Sequence, residues 1–112
     1  MTRADTSRIE ETMNVKITAR HCEVAEDMRD RAVEQVRKVA RVAHRPQRAE
    51  IVFDRDHDRN IAEFQLYLVG GKVCVSTAEA SDFRTAIDRA IRKLRNQVDK
   101  MPGPADRRSP VE

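Results

Sequence analysis

The sequence predicts an α+β domain of order β-α-β-β-β-α, with a four-stranded mixed sheet and two helices packed side by side on one face. Three observations carry this reading. Residues 13 to 20 alternate apolar and polar with a period of two, two later segments carry apolar residues at spacings of three and four, and two further alternating runs followed by a glycine pair lie between those segments. The chain has 112 residues, 39% hydrophobic and 37% charged, which suits one domain with a modest core and excludes a two-domain enzyme. Its aromatics are Phe53, Phe64, Tyr67 and Phe83, so Val, Ile, Leu, Met and Ala must fill the core.

Met13, Val15, Ile17 and Ala19 share one face of the first strand. From about residue 25 the period changes, and Met28, Ala32, Val36, Val39 and Ala43 form the apolar stripe of an amphipathic helix. Pro46 ends it, because the residue before a proline is pushed out of helical angles. Ala49, Ile51 and Phe53 alternate with Glu50, Val52 and Asp54 in a second strand. Ala62, Phe64, Leu66 and Leu68 alternate with Glu63, Gln65 and Tyr67 in a third, with a charged loop around Asp56 to Asn60 between the two. Gly70 and Gly71 are expected to form a two-residue hairpin turn, since a primed turn needs the positive φ that glycine adopts freely, and a fourth strand follows from Lys72 to about Ala80. Ser81 and Asp82 offer an N-cap for a second helix whose stripe is Phe83, Ile87, Ala90, Ile91, Leu94 and Val98, closed by Met101, Pro102, Gly103 and Pro104. A strand-helix-strand crossover makes the first two strands parallel where they are adjacent. The expected organisation is a flexible N-terminal arm over 1 to 12, one domain over 13 to 101 and a flexible tail over 102 to 112.

The formal net charge of +3 is segregated along the chain. Residues 35 to 49 hold Arg37, Lys38, Arg41, Arg45 and Arg48 with no acid, and residues 82 to 100 carry a local +3, whereas 1 to 34 and 50 to 81 are net acidic. Concentrated cations are the footprint of a polyanion-binding surface. Cys22 and Cys74 read as free thiols of a reducing compartment. No stretch approaches the length of a membrane span, so a cytoplasmic location is expected.

Catalytic patterns are missing. His21, His44 and His57 show no helical pairing with an acid, and three glycines supply neither a phosphate-cradling loop nor a dinucleotide fingerprint. Asp54, Asp56 and Asp58 imitate the start of a calcium loop, but Arg59 stands at the required glycine and Gln65 at the closing glutamate. The segment is better read as a solvated, strand-capping turn. No enzyme activity, metal, cofactor or small-molecule substrate is therefore expected.

The basic helices are the informative feature. On a helical wheel Arg31, Arg37, Lys38 and Arg41 lie opposite the first apolar stripe. Part of this charge can be neutralised in place, because Asp27 with Arg31, Glu34 with Lys38 and Asp88 with Arg92 are spaced for i to i+4 pairs. Arg37 with Arg41 and Arg89 with Lys93 are like charges at the same spacing, each costing about 0.2 to 0.5 kcal/mol in an isolated helix. The helix dipole accounts for Arg41 and Lys100 near helix C-termini but leaves Arg84 and Arg89 unexplained. Nucleic-acid binding through phosphates and shape follows, since no aromatic platform for stacking bases is present.

Several segments carry a family resemblance. They are Asn14 to His21 (NVKITARH), Met28 with Arg29, Ala62 with Glu63, Gly70 with Gly71, and above all Asp82 to Lys100 (DFRTAIDRAIRKLRNQVDK), where Asp82, Ala86, Ile87, Asp88, Lys93, Leu94, Gln97 and Lys100 fit the pattern. Over about residues 13 to 100 the chain resembles the ribosome hibernation-promoting factor and ribosome-associated inhibitor family, once called sigma-54 modulation proteins. The resemblance implies a domain whose basic helices bind the small ribosomal subunit and its rRNA, in the whole ribosome, in the channel between head and body. There the family excludes mRNA and tRNA and silences translation in stationary phase or stress. Carried onto this sequence, Arg20, Arg29, Lys38, Arg41, Lys93 and Lys100 match basic family positions, while Arg37, Arg89, Arg92 and Arg95 are supported by charge and helix face. Ala25 stands where the family often has a capping Thr, which weakens that helix start by about 1 kcal/mol. Gln35 and Asn96 replace positions that are often basic, with Arg95 beside Asn96 as a substitute. The C-terminal dimerisation domain of long family members is not in this sequence, so bridging of two ribosomes through that domain is not expected. Two other readings remain: a general double-stranded RNA-binding module, whose α-β-β-β-α order the chain contains, and a protein-interaction modulator of a transcription factor.

Overall fold

The computed structural model describes residues 13 to 101. The predicted arm over 1 to 12 and tail over 102 to 112 lie outside the described residues. Six elements follow in the predicted order: β1 (Asn14–Ala19), α1 (Glu26–Val42), β2 (Pro46–Asp56), β3 (Arg59–Leu68), β4 (Val73–Ala80) and α2 (Phe83–Lys100). The sheet runs β1-β2-β3-β4, with β1 parallel to β2 and the remaining pairs antiparallel.

Alternation along the strands decides which face is covered. Ala49, Ile51 and Phe53 of β2, Ala62, Phe64, Leu66 and Leu68 of β3, and Cys74, Ala78 and Ala80 of β4 are buried on one side. Against them lie Ala32, Val36, Val39 and Ala40 of α1 and Ala86, Ile87, Ala90, Leu94 and Val98 of α2. Each large aliphatic side chain buried here contributes about 1.5 to 3 kcal/mol. Phe83 packs edge to face on Phe53, with ring centroids 5.4 Å apart. The β4 side chains under α2 are small, which lets the helix approach closely, and the buried Ser76 hydroxyl donates to the Ala90 carbonyl at 2.7 Å.

Both helices leave the same end of the sheet, where β1 and β4 finish, and run back antiparallel to those strands. They are therefore parallel to each other, with both C-termini at the end occupied by Gly70 and Gly71. Among the described residues no helix is long and apolar enough to cross a membrane.

Several local expectations are corrected. The predicted loop from Asp56 to Asn60 is a turn of two residues, His57 and Asp58, with Asp56 paired to Arg59 in the ladder. His57 adopts a left-handed φ of 59°, which a non-glycine residue enters at about 1 kcal/mol, so the usual glycine signal is missing there. The connection after β3 is longer than the two residues expected. Gly70 and Gly71 have positive φ of 96° and 84°, but Val69 turns its N–H to the Arg45 carbonyl and Leu68 donates to Lys72, so β4 starts at Val73. Helix α1 stops at Val42, before the Arg45–Pro46 pair.

The helix starts differ. Asp82 caps α2 by accepting the Thr85 N–H at 2.7 Å, and that bond holds its carboxyl below the ordinary aspartate value of 3.8. Ala25 caps α1 with no side-chain acceptor. Two outcomes are expected. Ala25→Ser raises stability by about 1 kcal/mol in urea denaturation. Because the folded form of Asp82 holds its proton less tightly than the unfolded form, its contribution is complete above the ordinary range and fades as pH falls through the folded pKa. Asp82→Ala should therefore lower the urea midpoint at neutral pH and flatten its decline below pH 3.8.

Candidate nucleic-acid interface

The outer surfaces of α1 and α2 form the candidate surface. Its seam is a bidentate ion pair: Arg31 on α1 donates through Nε (3.1 Å) and Nη2 (2.9 Å) to Asp88 Oδ1, and through Nη2 to Oδ2 at 3.1 Å. Beside it runs a shallow groove of about 380 Å³ lined by Arg31, Gln35, Asp88, Ile91, Arg92, Arg95 and Asn96. This corrects three expectations. Arg31 is a half-buried clasp between the helices, not a group on the outward face, and it pairs with Asp88, for which the i to i+4 spacing predicts Arg92 as partner. Arg37 is also half-buried rather than outward, and it donates to the Met13 carbonyl at 3.2 Å.

The other predicted cations fall into three groups. Lys38 and Arg41 of α1 and Arg92, Arg95 and Lys100 of α2 are exposed on the C-terminal halves of the two parallel helices. Arg95 lies 3.8 Å from Asp99, an exposed pair of small energetic weight. Arg20 and Arg29 sit at the opposite end. Arg20 donates its backbone N–H to Phe53, and Arg29 bends back to the Val24 carbonyl at 3.2 Å.

Arg89 and Lys93 form the third group, on the flank of α2 beside β4. Arg89 donates to the Glu79 carbonyl at 3.0 Å and Lys93 Nζ to the Thr77 carbonyl at 2.9 Å. One turn further on, the Gln97 carboxamide accepts the Val75 N–H at 3.1 Å and donates to the Val75 carbonyl. The like-charged spacing of Arg89 and Lys93, unexplained on the helix alone, thus has a structural partner in the backbone of β4. Gln97 belongs to the same row and was given no role by sequence reasoning. The signal for it is three long hydrogen-bonding side chains at i, i+4 and i+8 on one helix flank.

A cluster at the N-terminal end of the helices has a different character. His21 Nδ1 lies 3.0 Å from Asp54 Oδ1, and that bond holds the Asp54 carboxyl below its ordinary value. Burial, followed by the Asp54 charge, pushes the neighbouring Cys22 thiol up. A thiol raised in this way stays protonated and is a poor nucleophile. The buried Cys74 thiol is likewise raised by burial, and both cysteines are free.

The open face of the sheet is mixed in charge. The Arg48 guanidinium stacks over the Tyr67 ring, 3.7 Å from its centroid, while bonding Glu50, and Tyr67 donates to Gln65, which donates to Glu63. The concentrated cations are on the helix side.

Removing the clasp tests how the helices are held. Asp88→Asn is expected to lower stability by about 1 kcal/mol in urea denaturation, since one partner of a partly shielded bidentate pair loses its charge.

Comparison with known proteins places this geometry. The family model described as sigma 54 modulation protein / S30EA ribosomal protein matches residues 15–102. The solved N-terminal domain of Thermus thermophilus Protein Y is 29% identical with a TM-score of 0.68, covering 79% of this chain and 98% of that one. A ribosomal subunit interface protein from Coxiella burnetii, 19% identical, has a TM-score of 0.69 over 79% of this chain and 96% of that one, and shares the fold. Comparison with curated proteins gave no match.

Proposed function

The chain belongs to the sigma 54 modulation protein / S30EA ribosomal protein family, and from that premise we propose that it is a ribosome hibernation factor. It binds the small ribosomal subunit in the decoding channel and inhibits translation by excluding mRNA and tRNA. The observation that carries the proposal is the pair of parallel helices whose C-terminal halves carry the exposed cations Lys38, Arg41, Arg92, Arg95 and Lys100. The similar Coxiella burnetii structure is that of a ribosomal subunit interface protein, which agrees in kind.

The mechanism is occupancy. Exposed guanidinium and ammonium groups contact rRNA phosphates and release counterions, which supplies affinity without reading sequence. The ribosome-binding domain is residues 13 to 101, and its target places the protein in the cytoplasm. Arg89 and Lys93 keep N–H groups beyond the one each gives to a backbone carbonyl, so they can still contribute to the phosphate-facing field, and Arg37 adds its charge from the flank of α1. Arg20 and Arg29 would meet RNA at the other end of the helices. No covalent step, metal or cofactor is required.

Co-sedimentation with small subunits and whole ribosomes across a salt series tests the proposal. Binding should weaken with salt and be displaced by mRNA with initiator tRNA. Arg92→Glu with Arg95→Glu should weaken it at least about tenfold and flatten its salt dependence, leaving the circular dichroism spectrum unchanged because both side chains are exposed. Equal affinity for random duplex RNA would instead favour the general RNA-binding module, and undiminished binding by the double variant would overturn the assigned surface.

A further inference from the structure

Strand β4 is an outer strand of the sheet, and an outer strand presents unpaired N–H and C=O groups to any strand that comes alongside. In β4 four of these outward groups are already engaged. The carbonyls of Val75, Thr77 and Glu79 accept from Gln97, Lys93 and Arg89, and the Val75 N–H is taken by Gln97. The match follows from element geometry. Four residues of helix advance about 6 Å and two residues of strand about 6.6 Å, so antiparallel elements keep three successive contacts in step. The Gln97 carboxamide, accepting from and donating to one residue, does the work of a peptide unit in a neighbouring strand.

A second observation lies on the open face of the same strand. Val73 and Val75 are each 43% exposed, two of the four large apolar side chains that the described residues leave at the surface. In an antiparallel pairing of β4 with β4 of a second copy, centred on Val75, Val75 would face Val75 and Val73 would face Thr77. Both cross-strand pairs are β-branched, neither opposes like charges, and both exposed valines gain a neighbour. The two-fold symmetry of such a pairing makes it self-complementary.

We infer that the row Arg89, Lys93 and Gln97 is a latch that closes the β4 edge, and that the edge it closes is a pairing surface for a second copy of this chain. With the latch in place the chain stays single. With it released, β4 pairs with β4 to continue the sheet across two copies. This inference does not depend on the ribosome as target.

The test is the molar mass by light scattering of the whole chain carrying Lys93→Met and Gln97→Met, which keep the side-chain stems and remove their polar ends. The expected result is a rise from the single-chain 12.9 kDa toward twice that mass with increasing concentration, where the parent chain stays single. Adding Val75→Lys should return the mass to one chain, because it opposes two ammonium groups at the centre of the pairing. A Lys93→Met, Gln97→Met variant that melts cooperatively and stays single at its highest soluble concentration would overturn the inference. So would a parent chain that is already double, or a doubled mass that Val75→Lys leaves intact. If the double variant does not fold, Gln97→Glu, which loses the bond donated to the Val75 carbonyl, is read by the same criteria.

Discussion

One apolar sheet face has to be roofed by two helices, and the chain order leaves them one way to do it. Because β1 and β2 are parallel, α1 must return along β1, and because α2 follows β4 it must return along β4. The helices therefore run the same way, and features that are separate in sequence become neighbours. The net-positive segment around Arg37 to Arg41 comes beside the one from Arg92 to Lys100. A basic surface arises from the roofing of the core, with no dedicated loop or insertion.

That arrangement works against itself electrostatically. Parallel helices bring two negative dipole ends together, which favours cations in their last turns, and Arg41 and Lys100 stand there. The same proximity sets cation against cation across the helix pair. The structure limits this repulsion by position. Arg31 is neutralised by Asp88 at the seam, Arg89 and Lys93 are drawn toward β4, and Arg37 is turned toward β1. The exposed remainder repels through water, where charges interact weakly and salt screens them.

The elements were legible because their signals are local. Alternation located three strands and the glycine pair announced the fourth, the two stripes located the helices, and Asp82 announced its own cap. The short β2–β3 turn was hidden because His57 takes a left-handed conformation usually signalled by glycine. The partners of Arg31, Arg37, Arg89 and Lys93 were not legible, because each lies on another element and depends on how the helices sit over the sheet. A helical wheel separates apolar from polar positions, yet it cannot distinguish a face turned to solvent from a flank turned to a strand edge. Of the predicted cations, Lys38, Arg41, Arg92, Arg95 and Lys100 are exposed on the C-terminal halves of the helices. Arg37, Arg89 and Lys93 have backbone partners that only the tertiary arrangement supplies.

The parallel pairing of β1 with β2 also sets the order in which the chain can assemble. From β2 onward each element packs on the one before it, through a two-residue turn, a short glycine connection and the step from β4 into α2. These contacts close small loops, at a low entropic cost. Strand β1 is the exception, since Asn14 meets Arg48 only after the whole of α1 has been spanned. Of the described strands the one synthesised first is thus the one whose neighbour follows only after a whole helix, so β1 and the apolar stripe of α1 are made before the sheet they pack on.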